Sequence, residues 1–291
     1  MADIDLVPND SCPTGTTLEE IGASPSVQAC VLRGDLTSDI VLTAENGYAL
    51  DGAVFVGTDT GDGGVAASLT IPAGVTLFGA AGEDYLVVAR GSTIDATGTA
   101  ANPITMTSIQ DVIDMETSGG RDTTNVRGEW GGLVINGFAP INNCEDASAT
   151  PGGADCFDLG EGASGRFGGD DPNDDSGVLN YVVVKFAGNL INSEDELNGI
   201  AFQGVGDATN VEFVQVHNNA DDAFEWFGGT VNAKYLVATG AGDDSLDWTD
   251  GWTGSVQYAV VKQGPTVLSD DPRGIEADNR NGNELLTPTS N

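Results

Sequence analysis

Carboxylates recur at a fixed interval in the second half of this chain, and the interval limits the chemistry open to them. Asp221-Asp222 and Asp243-Asp244 are 22 residues apart, as are Glu225 and Asp247, and Asp270-Asp271 and Glu276 follow. If such copies stack about 4.8 Å apart, neighbouring carboxylates repel by roughly 3 kcal/mol at an effective dielectric near 20. Either a cation bridges them or one pKa rises. The first outcome is a calcium site, the second an acid/base pair. Adjacent copies match the carboxyl separation of retaining glycosidases, and alternate copies, about 9.6 Å apart, reach the upper end of the inverting range. Glu225, Asp244 and Asp247 are the candidate catalytic acids.

Other groups could bind rather than react. Asp171-Pro172-Asn173-Asp174-Asp175-Ser176-Gly177 places oxygens at alternate positions, and Asp171, Asn173 and Asp175 are the candidate calcium ligands. The segment resembles the start of an EF-hand loop, but its Gly falls one place late and no Glu stands at the twelfth position. His217 shares a column with Lys185, Thr239 and Lys262, a set that could clamp a glycan. Trp252, in a Gly-Trp-Thr-Gly turn, reads as the exposed aromatic best placed for sugar stacking. Gln203 and Glu276 would flank a ligand along the carboxylate ladder. No nucleophile elbow, phosphate loop or dinucleotide fingerprint occurs.

These residues sit in a repeat. Val211–Asn232 and Ala233–Gly254 are both 22 residues long, each reading as apolar strand, short turn, Asp-Asp, apolar strand and Gly-rich turn. Further copies begin at Leu179, interrupted by NLINSEDELN, and at Val256, interrupted before Asp270. Short strands at such a period make one turn of a β-solenoid, and no helical crossover follows any strand. The expected inward columns are Phe202, Phe224, Leu246, Ile275 and Val184, Val216, Ala238, Val261. Alternation then turns Gln203, Glu225, Asp247 and Glu276 outward. Trp226, Trp248 and Trp130 read as core. The side taken by Tyr181, Phe213, Tyr235 and Tyr258 stays open.

Two long loops, Gln110–Arg127 and Phe138–Asp175, interrupt the rungs, and no stretch shows convincing helical periodicity. Residues 1–35 read as an N-terminal cap and 36–291 as the solenoid. The chain stops at Asn291 directly after a rung, which reads as a truncated C-terminus with a strand edge free for self-stacking. Four cysteines fall as local pairs, Cys12/Cys30 and Cys144/Cys156, suggesting two disulfides and an oxidising compartment. Met1 precedes a polar, mature-looking start, as if a signal segment had been removed, and no apolar run could span a membrane. Forty-five Asp+Glu against ten Lys+Arg give a formal charge of −35. That excludes nucleic-acid binding through bulk electrostatics and calls for salt or divalent cations to screen the fold.

The segments GVTLFG, GTAANPI, EWGGLVING, NADDAFEWFGG and GDDSLDWTDGW resemble a largely uncharacterised group of bacterial secreted or lipoprotein-like surface proteins. Their fold is the right-handed parallel β-helix of the pectate-lyase-like superfold. Gly242-Asp243-Asp244-Ser245 is similar to the Gly-Asp-Asp-Cys segment of polygalacturonase-type hydrolases. The chain departs from that pattern: it has neither Gly-His-Gly nor Arg-x-Lys downstream, and Asp-Asp repeats on consecutive rungs like a turn element. The resemblance fixes the fold and implies little chemistry; with the charge and the repeated acids, the chain reads as an all-β extracellular module, calcium-stabilised, for adhesion or glycan binding. The alternatives are a polysaccharide hydrolase, less readily a lyase, or a filament subunit.

Overall fold

The computed structural model describes residues 3–192, 195–265, 272–280 and 286–290. Asp270 and Asp271 lie outside the described residues. Short Val/Ile/Leu strands wind as a right-handed parallel β-helix, and eighteen of them form one continuous, mostly parallel sheet with three faces. Every second side chain points inward, so each face stacks one apolar column on the next.

The first face carries Tyr48, Leu77, Met106, Val184, Val216, Ala238 and Val261 in successive register, including the expected valine-alanine column. The second stacks Val88, Ile135, Phe202, Trp226 and Trp248, beside Leu86, Leu133, Ile200, Phe224 and Leu246. The third stacks Ile71, Ala96, Leu179, Val211, Ala233 and Val256. Trp130 and Trp226 are fully buried.

Three expectations are corrected. Phe202 stacks under Trp226 rather than Phe224, because the turn after Ile200–Gln203 is two residues longer than the turn after Phe224–Phe227. Ala201, not Gln203, therefore lies beneath Glu225. Ile275 is 54 % exposed. Its segment continues the second face through Glu276 N to Leu246 O (3.0 Å) and Asp278 N to Trp248 O (2.8 Å), and no described rung covers it. Finally, the supposed loop after Ser108 opens with a helix, Ile109–Thr117. The Ser108 hydroxyl caps it at Asp111 N, and Ile109 and Val112 pack on Val27, Val31 and Phe78. One turn of apolar spacing was too short to register as periodicity.

At the base, Thr17–Ile21 pairs antiparallel with Val27–Leu36, and Cys12–Cys30 ties the preceding segment to that strand. The second insertion is ordered by Cys144–Cys156 and by a small hairpin, Asp158–Gly160 with Gly165–Phe167, which lies over the second face.

Candidate functional site: a buried carboxylate cluster

The acids gather where the first face turns into the second. Asp221-Asp222 and Asp243-Asp244 occupy that corner on consecutive rungs, while Glu225 and Asp247 stand in register just beyond it. Asp244 N donates to Asp222 Oδ1 at 2.8 Å, so each corner aspartate supports the next. Arg273 N donates to Asp244, and Glu276 follows above Asp247. The outward ladder expected from alternation exists.

It is largely covered at its lower rungs and half open above. Asp244 is 1 %, Asp222 7 % and Glu225 9 % exposed. Glu196, from the hairpin Leu190–Asn192/Asp195–Glu196, and Glu161, beside the Asp158–Phe167 hairpin, interact electrostatically with Asp221 and so close over it. Gln203 is equally hidden, its amide oxygen accepting from the Ser164 hydroxyl at 3.4 Å. A Cβ at residue 160 would stand 2.2 Å from that oxygen, which is why glycine is there. Asn198 Nδ2 donates to Glu225 Oε2 at 2.5 Å, and its own oxygen has no partner. Asn219 Oδ1 and Asp247 Oδ1 are likewise unpartnered.

Burial is the largest cause of the raised pKa values of Asp221, Asp222, Glu225, Asp244 and Asp247. Asp221 is pushed up to about 8, with Glu196 and Glu161 adding repulsion. Asp244 rises to about 7, helped by its hydrogen bond with Glu276, and Asp247 to about 6, next by repulsion from Glu276. Asp222 and Glu225 go well above the carboxylate range, Asp222 also through Asp221 and Glu225 also through Asp222. So many charges desolvated together are costly unless neutralised. Two triads have oxygens within 4.8 Å of one another: Asp221, Asp222, Asp243 and Asp222, Glu225, Asp247. Asp222 belongs to both. Carboxylates with nearby amide oxygens are a hard-cation donor set, and calcium fits it.

Other sequence candidates are placed elsewhere. Asp171 Oδ1 accepts from Asn173 N and Asp175 Oδ1 from Gly177 N, both in exposed turns, so these oxygens serve their own backbone. The buried acid of that loop is Asp174, bonded to the Ser176 hydroxyl, which the alternating pattern passed over. Trp252 is corrected: it is 3 % exposed, stacks on Trp226 at 5.1 Å, and donates Nε1 to Val231 O. Gly251, at φ +81°, turns the ring into the core. Trp252→Ala should therefore cost about 3–5 kcal/mol in a denaturant melt, the usual range for a buried tryptophan. A change near zero would contradict the packing. His217 is half-buried, Nδ1 2.8 Å from Thr239 Oγ1, in register with Lys185 below.

The aromatic column, whose side the alternation left open, runs up an outside corner. Tyr181, Phe213, Tyr235 and Tyr258 all have φ between 51° and 65°. Their rings stack at centroid spacings of 4.6, 4.4 and 5.2 Å. Left-handed backbone costs roughly 1–2 kcal/mol per residue, an amount that ring stacking up the column offsets in part.

The family described as pectate-lyase-like beta helix domain matches residues 34–291, and the chain belongs to it. No curated protein and no solved structure matches it. No helix among the described residues is long and apolar enough to cross a membrane.

Proposed function

We propose that this chain is an extracellular β-helix module that binds glycan without cleaving it, its loops locked down by divalent cations in the carboxylate cluster. The observation that carries the cation reading is the desolvated Asp222–Glu225–Asp247 triad beside the unpartnered Asn198 oxygen. Calcium there would join two rungs to each other and to the segment that precedes Ile200. Two disulfides suit an oxidising compartment, and calcium at extracellular concentration suits such a site. Glycan binding rests on the family, whose members are often carbohydrate-related, and on the His217 column.

Diffraction at long wavelength from crystals grown in calcium tests the cation. An anomalous peak within about 2.3–2.6 Å of carboxylate oxygens of Asp222 and Glu225 is expected. Water alone between them would sink the reading.

A hydrolase is the second reading. It is favoured by Asp244 near 7 and Asp247 near 6, which suit an acid and a base at neutral pH. The burial of Asp244 opposes it, since a sugar chain must reach the acid. Turnover of any polysaccharide, abolished by Asp244→Asn but unaffected by calcium removal, would make this reading the leading one.

A further inference from the structure

In a chain with 45 acids, one recess is lined by none among the described residues. It lies on the outer side of the first face, between the loop after helix Ile109–Thr117 and the last rungs, and measures about 490 Å³. Eleven residues line it, among them Thr123, Thr124, Gln215, His217, Thr239 and Lys262. The volume falls within the range of small-molecule sites, roughly 300–1,000 Å³.

Lys262 and the chain's only histidine line the recess, and Lys185, Arg121 and Arg127 stand around it. Lys185, His217, Thr239 and Lys262 are in register on successive rungs. Arg127 donates Nε to Gly240 O at 2.8 Å, and Arg121 lies over the Phe186 ring, which itself meets the edge of His217. Acids answer the outer cations: Asp111 pairs with Lys185, Glu129 with Arg121, Asp114 also lies near Arg121, and Asp122 turns to Thr124. Lys262 has no carboxylate partner among the described residues and is exposed. Burial, with Lys185 next and Arg127 also, holds the His217 pKa below its usual value against Asp111. It is a neutral donor-acceptor rather than another cation. Its Nδ1 shares a hydrogen bond with the Thr239 hydroxyl.

The walls are prebuilt. Asn218 Nδ2 donates to Thr123 O at 2.7 Å, and the Arg127–Gly240 bond fixes the far end of the same loop. Hydroxyl, amide and ammonium donors therefore surround one space from two sides. Among the described residues no guanidinium lines it, so none there offers the fork that matches a planar carboxylate. A lysine point charge with scattered hydroxyl donors suits a tetrahedral group carrying three acceptor oxygens.

We propose that this recess binds the sulfate or phosphate ester of a small saccharide, the ester at Lys262, Thr239 and His217 and the sugar ring against Thr123, Thr124 and Gln215. The proposal gives the glycan-binding reading a ligand class and rests on it; it does not depend on the cation cluster. Calorimetric titration with galactose 6-sulfate, galactose 6-phosphate, galacturonate and galactose, all in calcium, tests it. One ester should saturate a single site, and the better of the two names the group. Galactose and galacturonate should bind about tenfold more weakly or not at all. Lys262→Gln and Thr239→Val should each weaken the ester about tenfold, the loss expected for one hydrogen bond to a charged group, with melting temperature unchanged. Lys262→Arg, which keeps charge but alters geometry, should fall between. Esters binding no better than galactose would overturn the proposal, as would affinity unmoved by Lys262→Gln. A sugar bound equally by wild type and Lys262→Gln would leave the wider glycan-binding reading standing. No binding by any of the four sugars overturns the site and removes the structural support of that wider reading.

Discussion

Chelating divalent cations lowers the melting temperature of this protein, and restoring millimolar calcium raises it again, whereas sodium at matched ionic strength does not. A ligand that binds only the folded state, at a hundred times its dissociation constant, adds about 2.7 kcal/mol. For a chain of this size that is about 4–5 °C. Asp222→Asn separates site binding from general screening. The asparagine oxygen can still accept the Asp244 N–H that Asp222 Oδ1 accepts now, so the corner keeps its bond and loses one charge from both triads. In chelator this variant should be more stable than wild type, because the repulsion on Glu225 and Asp221 falls. In calcium the order should invert, since the shared ligand is gone. Equal stabilisation by sodium, or a variant less stable than wild type under both conditions, would show that the cluster holds no ion.

How much of this was legible in the sequence follows from which constraints are local. The Val184–Val216–Ala238–Val261 column and the Glu225–Asp247 pair could be read because the rungs from Val211 onward keep nearly constant length and the interruption NLINSEDELN in the rung before them stands out from the repeat. Phe202 was misaligned where a turn gained two residues, since register across a solenoid depends on turn length that composition does not encode. The turn signature at Asp221-Asp222 was visible, but its burial was not. The cover comes from the Asp158–Phe167 hairpin some 60 residues away and from the Leu190–Glu196 hairpin, and the sequence showed both only as interruptions. Trp252 failed for a similar reason: a Gly-flanked tryptophan looks exposed until Gly251 at positive φ aims it at Trp226. The recess at His217 was half legible. The column was readable, while the wall from Thr123 and Thr124 depends on an unanticipated helix placing the loop that follows it.

Without calcium, the protein should be more stable at pH 5 than at pH 8, the reverse of a fold whose acids are paired with bases. The sign follows from the direction of the shifts. Unfolded aspartates titrate near 3.8, whereas in the fold Asp247 titrates near 6, Asp244 near 7 and Asp221 near 8. Between pH 4 and 8 the folded chain therefore holds protons that the unfolded chain has released. Stability is highest below the unfolded value and is lost as pH rises through 6 to 8. At about 1.4 kcal/mol per pH unit, Asp247 alone loses roughly 3 kcal/mol between its unfolded value and 6, about 1.4 kcal/mol of it above pH 5. Calcium reverses the trend, because it takes the place of those protons and binds only the ionised carboxylates. Melting curves in chelator and in calcium should nearly coincide at pH 5 and diverge steadily to pH 8. Asp247→Asn should flatten the chelator curve over the lower part of that window. Repulsion among the chain's other acids also grows with pH, but it is screened by salt over about 8 Å and is untouched by a single buried substitution. A metal-free protein that gains stability from pH 5 to pH 8, or an Asp247→Asn variant with the wild-type slope, would mean that these carboxylates are ionised in the fold without help.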